Sequence, residues 1–274
     1  MDSVVFQRFC AHAHQQAGIA LGPSKEALVT ARVGKRMRAL GLDDERAYLD
    51  YLEADQTGEE LIQFLDVIST NHTAFFREPD HFELLRTLLC DWRQHGLSRL
   101  RIWSAASSTG EEPYSIAMTV LDVLQDLTVD FKLLATDIST HVLARAQEAA
   151  YPLERLAAIP PSFLTRFFQQ DERPPHNYRV REEVKRHVVF RRLNLSQPPF
   201  PMQGPLDIVF CRNVLIYFDL PVRQRLLGAI QGLLRPGGWL FLGHTETLTG
   251  VTTAFRVSRP SVFFLPDDGK AGGG

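Results

Sequence analysis

The chain has 274 residues and a mass of 31.0 kDa, of which 45% are hydrophobic and 23% charged, as in an ordinary globular protein of one large domain or two modest ones. Its net charge of −2 disfavours a dedicated nucleic-acid binder, which is usually basic overall. The three cysteines are far apart in sequence, which disfavours a disulfide framework or a zinc site. Because the N-terminus lacks a signal-peptide pattern and no run of about 18 apolar residues occurs, the sequence predicts a cytoplasmic, soluble protein.

The first 70 residues are predicted to be helical, with an uneven distribution of charge. Residues 25–40 carry five basic residues against one acid, and residues 43–66 carry nine acids against one arginine. In the helix predicted at 26–40, an apolar stripe repeats with helical periodicity. The stripe consists of Val29, Val33, Met37 and Leu40, and the rest of the circumference carries Arg32, Lys35, Arg36 and Arg38. Further helices are predicted at 45–55 and about 58–70.

From about residue 98, short apolar strands alternate with helices. The predicted strands are LRIWSA, FKLLATDI, HVVFRRLNL, PLDIVFCRN, WLFLG and FRVSRPSVFFL, and the predicted helices are EPYSIAMTVLDVLQD, HVLARAQEAA and PVRQRLLGAIQGLLR. This alternation predicts a doubly wound α/β sheet with mainly parallel strands. We expect a helical domain over 1–75 and an α/β domain over 76–267, with a small β insertion near 170–190 and a disordered tail at 268–274.

The loop after the first strand is built from small residues and followed by two acids. Ala105 to Gly110 form a tight turn that lets a ligand approach the backbone, and Glu111 and Glu112 then begin a helix. Two carboxylates at this position repel phosphate and suit a cationic or amine-bearing ligand, so S-adenosylmethionine matches and NAD does not. The alternative is that both glutamates only complement the helix dipole.

Two further strands end in polar loops. Asp137 ends FKLLATDI, near the spacing at which an acid binds ribose hydroxyls, although a helix cap is the alternative and Ser139 competes for that role. In CRNVLIYFD, Asn213 and Tyr217 could contact adenosine or substrate, or the segment could be a packed turn. No Asn/Asp-Pro-Pro-aromatic loop occurs, which disfavours methylation of nucleobase amines. After the last parallel strand, the triplet 244–246 (HTE) could face the site, but a cap is the favoured interpretation.

The segment TNHTAFFREP lies at the junction of the two predicted domains. Asn71 and Thr73 precede the aromatic pair Phe75 and Phe76, which Arg77 follows. One interpretation is a helix end with an aromatic plug, and the other is a lid that faces a cofactor cleft.

These motifs together closely resemble the CheR-type chemotaxis receptor methyltransferases. The resemblance rests on TNHTAFFREPDHFELL, WSAASSTGEEPYSIAM, ATDIS and FCRNVLIYFD, in this order, and it covers about residues 5–265. It implies a Rossmann-like methyltransferase domain, a small all-helical N-terminal domain that faces the substrate, and a small β-subdomain. It also implies methyl transfer from S-adenosylmethionine to glutamate side chains on the cytoplasmic helical domain of chemoreceptors, with S-adenosylhomocysteine as product.

The resemblance also implies site residues. The implied cofactor contacts are Asn71, Thr73, Arg77, Glu112, Asp137, Asn194, Leu195, Arg212 and Asn213. Tyr217 matches the family's aromatic residue near the transferred methyl group, and we expect Arg77 to orient the acceptor carboxylate. No metal is expected, because an ionised carboxylate and a sulfonium donor require neither a base nor a Lewis acid.

The expected partner is the chemoreceptor's cytoplasmic domain, so the enzyme would be recruited to membrane-bound receptor arrays without inserting into the bilayer. We expect Arg32, Lys35, Arg36 and Arg38 to steer an acidic receptor helix by charge. Some family members dock a tethered receptor peptide on the β-subdomain through a glycine-containing loop. QDERPPHNYR has no glycine there, which disfavours such docking. The alternative function is a non-catalytic signalling adaptor that binds S-adenosylmethionine.

Overall fold

The predicted helices and strands occur in the predicted order in a computed structural model, which describes residues 1–69, 72–125, 128–172 and 176–267. The helices Pro79–Gln94, Pro161–Phe167 and Glu182–Lys185 are not among the predicted elements. The α-helices in these ranges are α1 (Ser3–Ala17), α2 (Glu26–Leu40), α3 (Glu45–Ala54), α4 (Glu59–Ile68), α5 (Pro79–Gln94), α6 (Glu111–Leu124), α7 (Thr140–Glu148), α8 (Pro161–Phe167), α9 (Glu182–Lys185) and α10 (Leu220–Leu233). The strands are β1 (Arg99–Ser104), β2 (Asp130–Asp137), β3 (Ala150–Tyr151), β4 (Phe168–Gln170), β5 (Tyr178–Val180), β6 (Val188–Arg192), β7 (Leu206–Phe210), β8 (Leu234–Phe241), β9 (Arg256–Arg259) and β10 (Val262–Phe264).

Helices α1 to α4 pack on one another around their own apolar core. At its centre the ring of Phe9 stacks on those of Tyr48 and Phe64, with centroids 5.8 and 5.6 Å apart. The predicted stripe of α2 faces this core, with Val29, Val33 and Met37 buried. Helix α2 has the predicted bounds because Gly41 adopts a left-handed conformation at its C-terminus.

The large sheet has the strand order β6-β2-β1-β7-β8-β10-β9. Strands β6, β2, β1, β7 and β8 pair in parallel, and β10 and β9 are antiparallel. The predicted doubly wound α/β class is therefore confirmed. The run 255–265, predicted as one strand, is instead the β9–β10 hairpin, because the chain turns at Pro260 and Ser261.

A three-stranded antiparallel sheet with the order β3-β5-β4 forms the β insertion. Strand β3 lies well before the predicted range of 170–190, β4 begins two positions before it, and β5 lies within it. The predicted tail, 268–274, lies outside the described residues. The domain limits 1–75 and 76–267 remain predictions. No helix in the described ranges combines the length and the apolar character that a membrane span requires.

The helical N-terminal segment meets the α/β sheet at the end of α1. Gly18, with φ of 70°, ends this helix so closely against the loop after β6 that an added Cβ would lie 2.6 Å from Ser196 Cβ. In the same region Asn194 Nδ2 donates to Gln16 O at 2.6 Å, and the amide of Ala20 donates to Tyr217 O at 2.7 Å. The end of α1 therefore lies against the carboxyl edge of the parallel strands, where ligands of such sheets bind.

Candidate functional site

A cleft of about 370 Å³ lies between the helical N-terminal segment and the carboxyl ends of β1, β2, β6 and β7. This volume is at the lower end of the range for small-molecule sites. The cleft is lined by the ends of α1 and α4, the loop at 72–77 and the four strand-end loops.

The cleft brings together the cofactor residues implied by the resemblance, as far as they are described. Those that line it are Thr73, Arg77, Glu112, Asp137, Asn194, Leu195, Arg212, Asn213 and Tyr217. Asn71 lies outside the described residues. The residues of this set come from the N-terminal junction and from the loops of four strands, although they are up to 144 positions apart in sequence (217 minus 73). Their individual roles remain predictions.

One buried guanidinium connects three segments of the cleft. Arg212, with a side chain only 1% exposed, donates from Nη1 to Glu112 Oε2 at 3.0 Å and from Nη2 to Glu78 Oε2 at 2.8 Å. The same Nη2 also donates to the carbonyl oxygen of Arg77. Glu112 accepts a further hydrogen bond from Ser104 Oγ at 2.7 Å. The strand β1, the helix α6, the loop after β7 and the start of α5 are thus fixed to one another by charge-assisted bonds.

The two carboxylates beside Arg212 have pKa values shifted in opposite directions. Burial raises the pKa of Glu112 above its ordinary value, and the charge of Arg212 offsets only part of this effect. Burial also acts to raise the pKa of Glu78, but the hydrogen bond and charge of Arg212 outweigh it, so this pKa lies below the ordinary value. The carboxylate of Glu78 is therefore the more firmly ionised of the two.

Asp137 joins two loops and also faces the cleft. Its Oδ2 accepts from the amide of Ser108 at 2.9 Å and its Oδ1 from the amide of Ser139 at 3.0 Å. The cap of α7 is Ser139, whose side chain accepts from the amide of Val142. Burial raises the pKa of Asp137, and these backbone amides offset part of the effect. Ser139 and not Asp137 therefore caps α7, and Asp137 remains available to contact a ligand in the cleft.

The two glutamates that begin α6 point to different surroundings. Glu112 lines the cleft, whereas Glu111 does not. Glu111 is buried, accepts from Thr109 Oγ1 at 2.7 Å, and lies 3.6 Å from Arg155 Nη1. Sequence alone could not separate the two, because adjacent helical residues differ by about 100° in direction.

The loop at 72–77 is anchored by its aromatic pair and presents its polar residues to the cleft. Phe75 is fully buried and packs edge-on against Tyr151 and Phe168, and the amide of Phe76 donates to a side chain of α6. Arg77 is half-buried and donates to the carbonyl oxygen of His72 at 3.0 Å. The aromatics therefore pack into the core, as the first interpretation predicts, and the neighbouring polar residues line the cleft. A role as a lid stays a prediction.

Sequence reasoning missed the importance of two carboxylates. Glu78 has a φ of 59° and holds Arg212, and it also accepts from Asn213 Nδ2 at 3.3 Å. Glu246 is buried and accepts from the amides of Asn213, Leu215 and Gly243 at 2.6–2.7 Å. Glu246 thus serves as a cap, as predicted for the triplet 244–246, but its partners belong mainly to the loop after β7. No local sequence pattern predicts the contact of Glu78 with Arg212 or of Glu246 with Asn213, because the partners lie more than 30 positions apart.

Substituting Gly110 by alanine is expected to destabilise the protein by about 3 kcal/mol or more and to weaken ligand binding in the cleft. Gly110 has a φ of 99°, and an added Cβ would lie 2.7 Å from the Tyr151 hydroxyl and 3.0 Å from Ala146 Cβ. The loop before α6 would have to move. Denaturant unfolding and calorimetry with S-adenosylhomocysteine measure the two effects.

The matched control is Gly96→Ala. Gly96 has a φ of 82°, and nothing lies within 4 Å of the added Cβ. This variant incurs only the backbone strain of about 1–2 kcal/mol and should keep its affinity for S-adenosylhomocysteine. Equal losses of stability in the two variants would show that the contacts of Gly110 contribute nothing.

The four basic residues predicted on α2 divide into two kinds. Arg32 donates to the carbonyl oxygens of Ile68 and Ser69 at 2.6 and 2.8 Å, and Arg36 forms a bidentate pair with Glu60 at 2.6 and 2.9 Å. These two arginines hold α2 on α4. Lys35 and Arg38 are exposed. Their role toward a receptor remains a prediction.

The chemistry of the lining suits S-adenosylmethionine. Its ammonium and sulfonium groups are cationic and its carboxylate is anionic. The cleft lining offers groups of both signs, with carboxylates from Glu112 and Asp137 and basic groups from Lys25, Arg77 and Arg212. The Nε of Arg212 is buried and has no hydrogen-bond partner among the described residues. The loop of small residues at 105–108 allows close approach to the backbone.

Comparison with known proteins gives a consistent result. Residues 71–264 match the family model described as CheR methyltransferase, SAM binding domain, and residues 5–69 match that of the CheR methyltransferase, all-alpha domain. A chemotaxis protein methyltransferase of Salmonella typhimurium is 41% identical over 96% of this chain and 90% of its own length. Its counterpart in Escherichia coli is 40% identical over 96% and 91%. Chemotaxis protein methyltransferase 2 of Pseudomonas aeruginosa is 41% identical over 94% and 91%.

Proposed function

Because this chain belongs to the CheR family of chemotaxis methyltransferases, which use S-adenosylmethionine, we propose that it methylates specific glutamate side chains in the cytoplasmic helical domain of chemoreceptors. The product is a glutamate methyl ester. The observation that supports the proposal is the cleft, whose lining includes Glu112, Asp137, Arg77 and Tyr217.

In this proposal the cleft residues hold the cofactor by complementary charge. Glu112 and Asp137 bind its cationic and hydroxyl groups, and the buried Arg212 orients Glu112 through their ion pair. Thr73, Asn194, Leu195 and Asn213 complete the contacts. S-adenosylmethionine supplies a methyl group that is already activated by its sulfonium.

The chain's own residues then have only to position the acceptor. A glutamate side chain is ionised at neutral pH, so no residue has to remove a proton from it. Positioning alone can contribute about 7–11 kcal/mol to lowering a barrier of this kind. We propose that Arg77 orients the acceptor glutamate by donating to one oxygen of its carboxylate. We propose that Tyr217 contacts the cofactor near the transferred methyl group. The backbone of Tyr217 is held in place by the hydrogen bond that its carbonyl oxygen accepts from the amide of Ala20, just beyond α1.

The receptor is proposed to approach along α2. Lys35 and Arg38 are the basic residues of this helix that are exposed, and they suit an acidic receptor helix. Steering by exposed charges accelerates association and weakens with salt. The enzyme would in this way be recruited from the cytoplasm to receptor arrays without contacting the bilayer core. We assign no tethered peptide to the β insertion, part of whose loop, 173–175, lies outside the described residues.

Reversing both charges in Lys35→Glu/Arg38→Glu is expected to lower kcat/KM for receptor methylation about tenfold at low salt, with little change in kcat. The dependence of kcat/KM on ionic strength should become weaker. Initial rates with receptor-containing membranes between about 20 and 500 mM salt, over which the Debye length shortens from roughly 20 to 4 Å, measure both effects.

The matched control is Arg256→Glu/Arg259→Glu on the edge strand β9. These arginines are also exposed, and the substitution changes the net charge by the same amount. It should leave kcat/KM and its salt dependence close to those of the unsubstituted protein. An equal loss in both double variants would assign the effect to net charge and overturn the proposed surface.

The deciding experiment is a methyl-transfer assay. The protein is incubated with methyl-labelled S-adenosylmethionine and membranes that contain chemoreceptors, and the washed membranes are treated with mild alkali. We expect label on the receptor that is released as methanol, as a glutamate methyl ester requires. Tight binding of the cofactor by calorimetry without any transfer would favour the non-catalytic adaptor instead.

A further inference from the structure

A second cluster of polar side chains lies behind the cleft, where the start of α5 meets the loop after β8. Glu78, His81 and His244 each offer one ligand atom, and these atoms lie within 4.8 Å of one another. Asp80 adjoins them, with Oδ1 2.9 Å from His244 Nε2. Nothing in the proposed methyl transfer uses the two histidines.

The fully buried His81 has one ring nitrogen satisfied and one without a partner. Its Nε2 lies 2.9 Å from Ser261 Oγ, which itself donates to the carbonyl oxygen of Pro260 at 2.7 Å. Ser261 therefore accepts from His81, so Nε2 carries the proton and Nδ1 presents a lone pair. That Nδ1 is buried and has no hydrogen-bond partner among the described residues.

The lone pair of His81 faces a carboxylate. Glu78 Oε2 lies 3.5 Å from Nδ1, which is too far for a hydrogen bond in either tautomer. Two electron-rich atoms facing each other in a buried site are unfavourable unless a cation lies between them. The separation is close to the edge of about 3.3–3.4 Å between neighbouring ligands in a tetrahedral zinc site.

The surrounding charge permits a cation. Glu78 and Asp80 contribute two negative charges against the guanidinium of Arg212, so the balance is negative even without Glu112. Each carboxylate oxygen can accept a second interaction, so Glu78 can keep Arg212 while it binds a metal. His244 Nε2 lies 3.9 Å from Glu78 Oε2, and its side chain is 47% exposed, which provides a route from solvent.

From this geometry we propose that Glu78, His81 and His244 form a binding site for a zinc-class divalent cation, with the fourth coordination position left to a water molecule and Asp80 beside His244. Two imidazoles with one carboxylate suit Zn²⁺ or Co²⁺ better than Mg²⁺ or Ca²⁺, which prefer oxygen ligands. The site contains no cysteine, which is why cysteine spacing did not indicate it. It would tie α5 to the loop after β8, close to the cleft but separate from the methyl transfer.

The test uses the full-length, tag-free chain, titrated with ZnCl₂ by calorimetry and with Co²⁺ by visible absorption. We expect one equivalent of bound metal and a tetrahedral cobalt spectrum without a thiolate charge-transfer band. His244→Ala, at a half-exposed position, should weaken the affinity at least tenfold and remove the zinc-dependent rise in Tm. His81→Gln, which keeps a donor toward Ser261, should do the same.

His95→Ala is the matched control. His95 is another exposed histidine beside a carboxylate, with Nδ1 3.5 Å from Asp91 Oδ1, but it belongs to no such cluster among the described residues. Its loss should leave zinc affinity unchanged. Three outcomes would each overturn the proposed site. They are the absence of binding at stoichiometric metal, binding that survives His244→Ala, and a cobalt spectrum with thiolate bands.

Discussion

Replacing Arg212 by methionine is expected to destabilise the protein by about 3–5 kcal/mol, because Glu112 and Glu78 would lose the one guanidinium that pairs with both. Methionine fills a similar volume without charge. We also expect affinity for S-adenosylhomocysteine to fall tenfold or more, equivalent to at least about 1.4 kcal/mol, because Glu112 would no longer be fixed beside the cleft. Denaturant unfolding and calorimetry measure the two losses.

The matched control for this prediction is Arg166→Met. Arg166 pairs with Asp122 at 3.0 Å at the surface, and Asp122 keeps a second partner in Arg86 at 2.7 Å. Surface pairs contribute about 0–1 kcal/mol, so this variant should stay within that range and bind S-adenosylhomocysteine normally. If Arg212→Met were as stable as Arg166→Met, the buried bonds of Arg212 would not hold the cleft together.

Arg77→Ala is expected to lower kcat for receptor methylation by about 10²- to 10³-fold, the loss seen when one positioned donor is removed from a reacting oxygen. The loop itself should survive, because it is anchored by Phe75 and Phe76 and not by the half-buried Arg77. Cofactor affinity should change much less than turnover. Receptor-bound label released as methanol measures the rate, and calorimetry measures the affinity.

Arg77→Lys distinguishes geometry from charge. Lysine keeps the positive charge but lacks the planar, forked donors, so we expect a rate between those of Arg77→Ala and the unsubstituted protein. Unchanged turnover in Arg77→Ala would remove the residue from the mechanism. A loss confined to cofactor affinity would leave Arg77 as a binding residue only.

The proposed function connects to the fold through a few long-range contacts. The cleft exists because the end of α1 lies against the loop after β6, where Gly18 leaves no room for a side chain. Its electrostatics depend on Arg212, which is held by Glu78 from the start of α5. A substitution in α1 or at Glu78 should therefore disturb cofactor binding even though neither element carries a predicted cofactor residue.

Much of this protein follows from local sequence signals. The alternation of apolar strands and helices after residue 98 predicts the parallel sheet, because strand and helix periodicities differ. The family resemblance, carried by motifs such as STGEEPYS and CRNVLIYFD, is confirmed by the two family models and by relatives at about 40% identity. The helix α2 is predicted to the residue, since an apolar stripe and Gly41 define it.

Only the tertiary structure decided which polar residues have partners. It separates Glu112 from Glu111, pairs Arg32 and Arg36 within the helical N-terminal segment, and leaves Lys35 and Arg38 exposed. It also brings His81 to within reach of His244, more than 160 positions away. Sequence periodicity determines which face of an element is buried, because burial depends on the apolar stripe of that element alone. The partner of a buried charge depends on how distant elements pack, and that arrangement is a property of the whole fold.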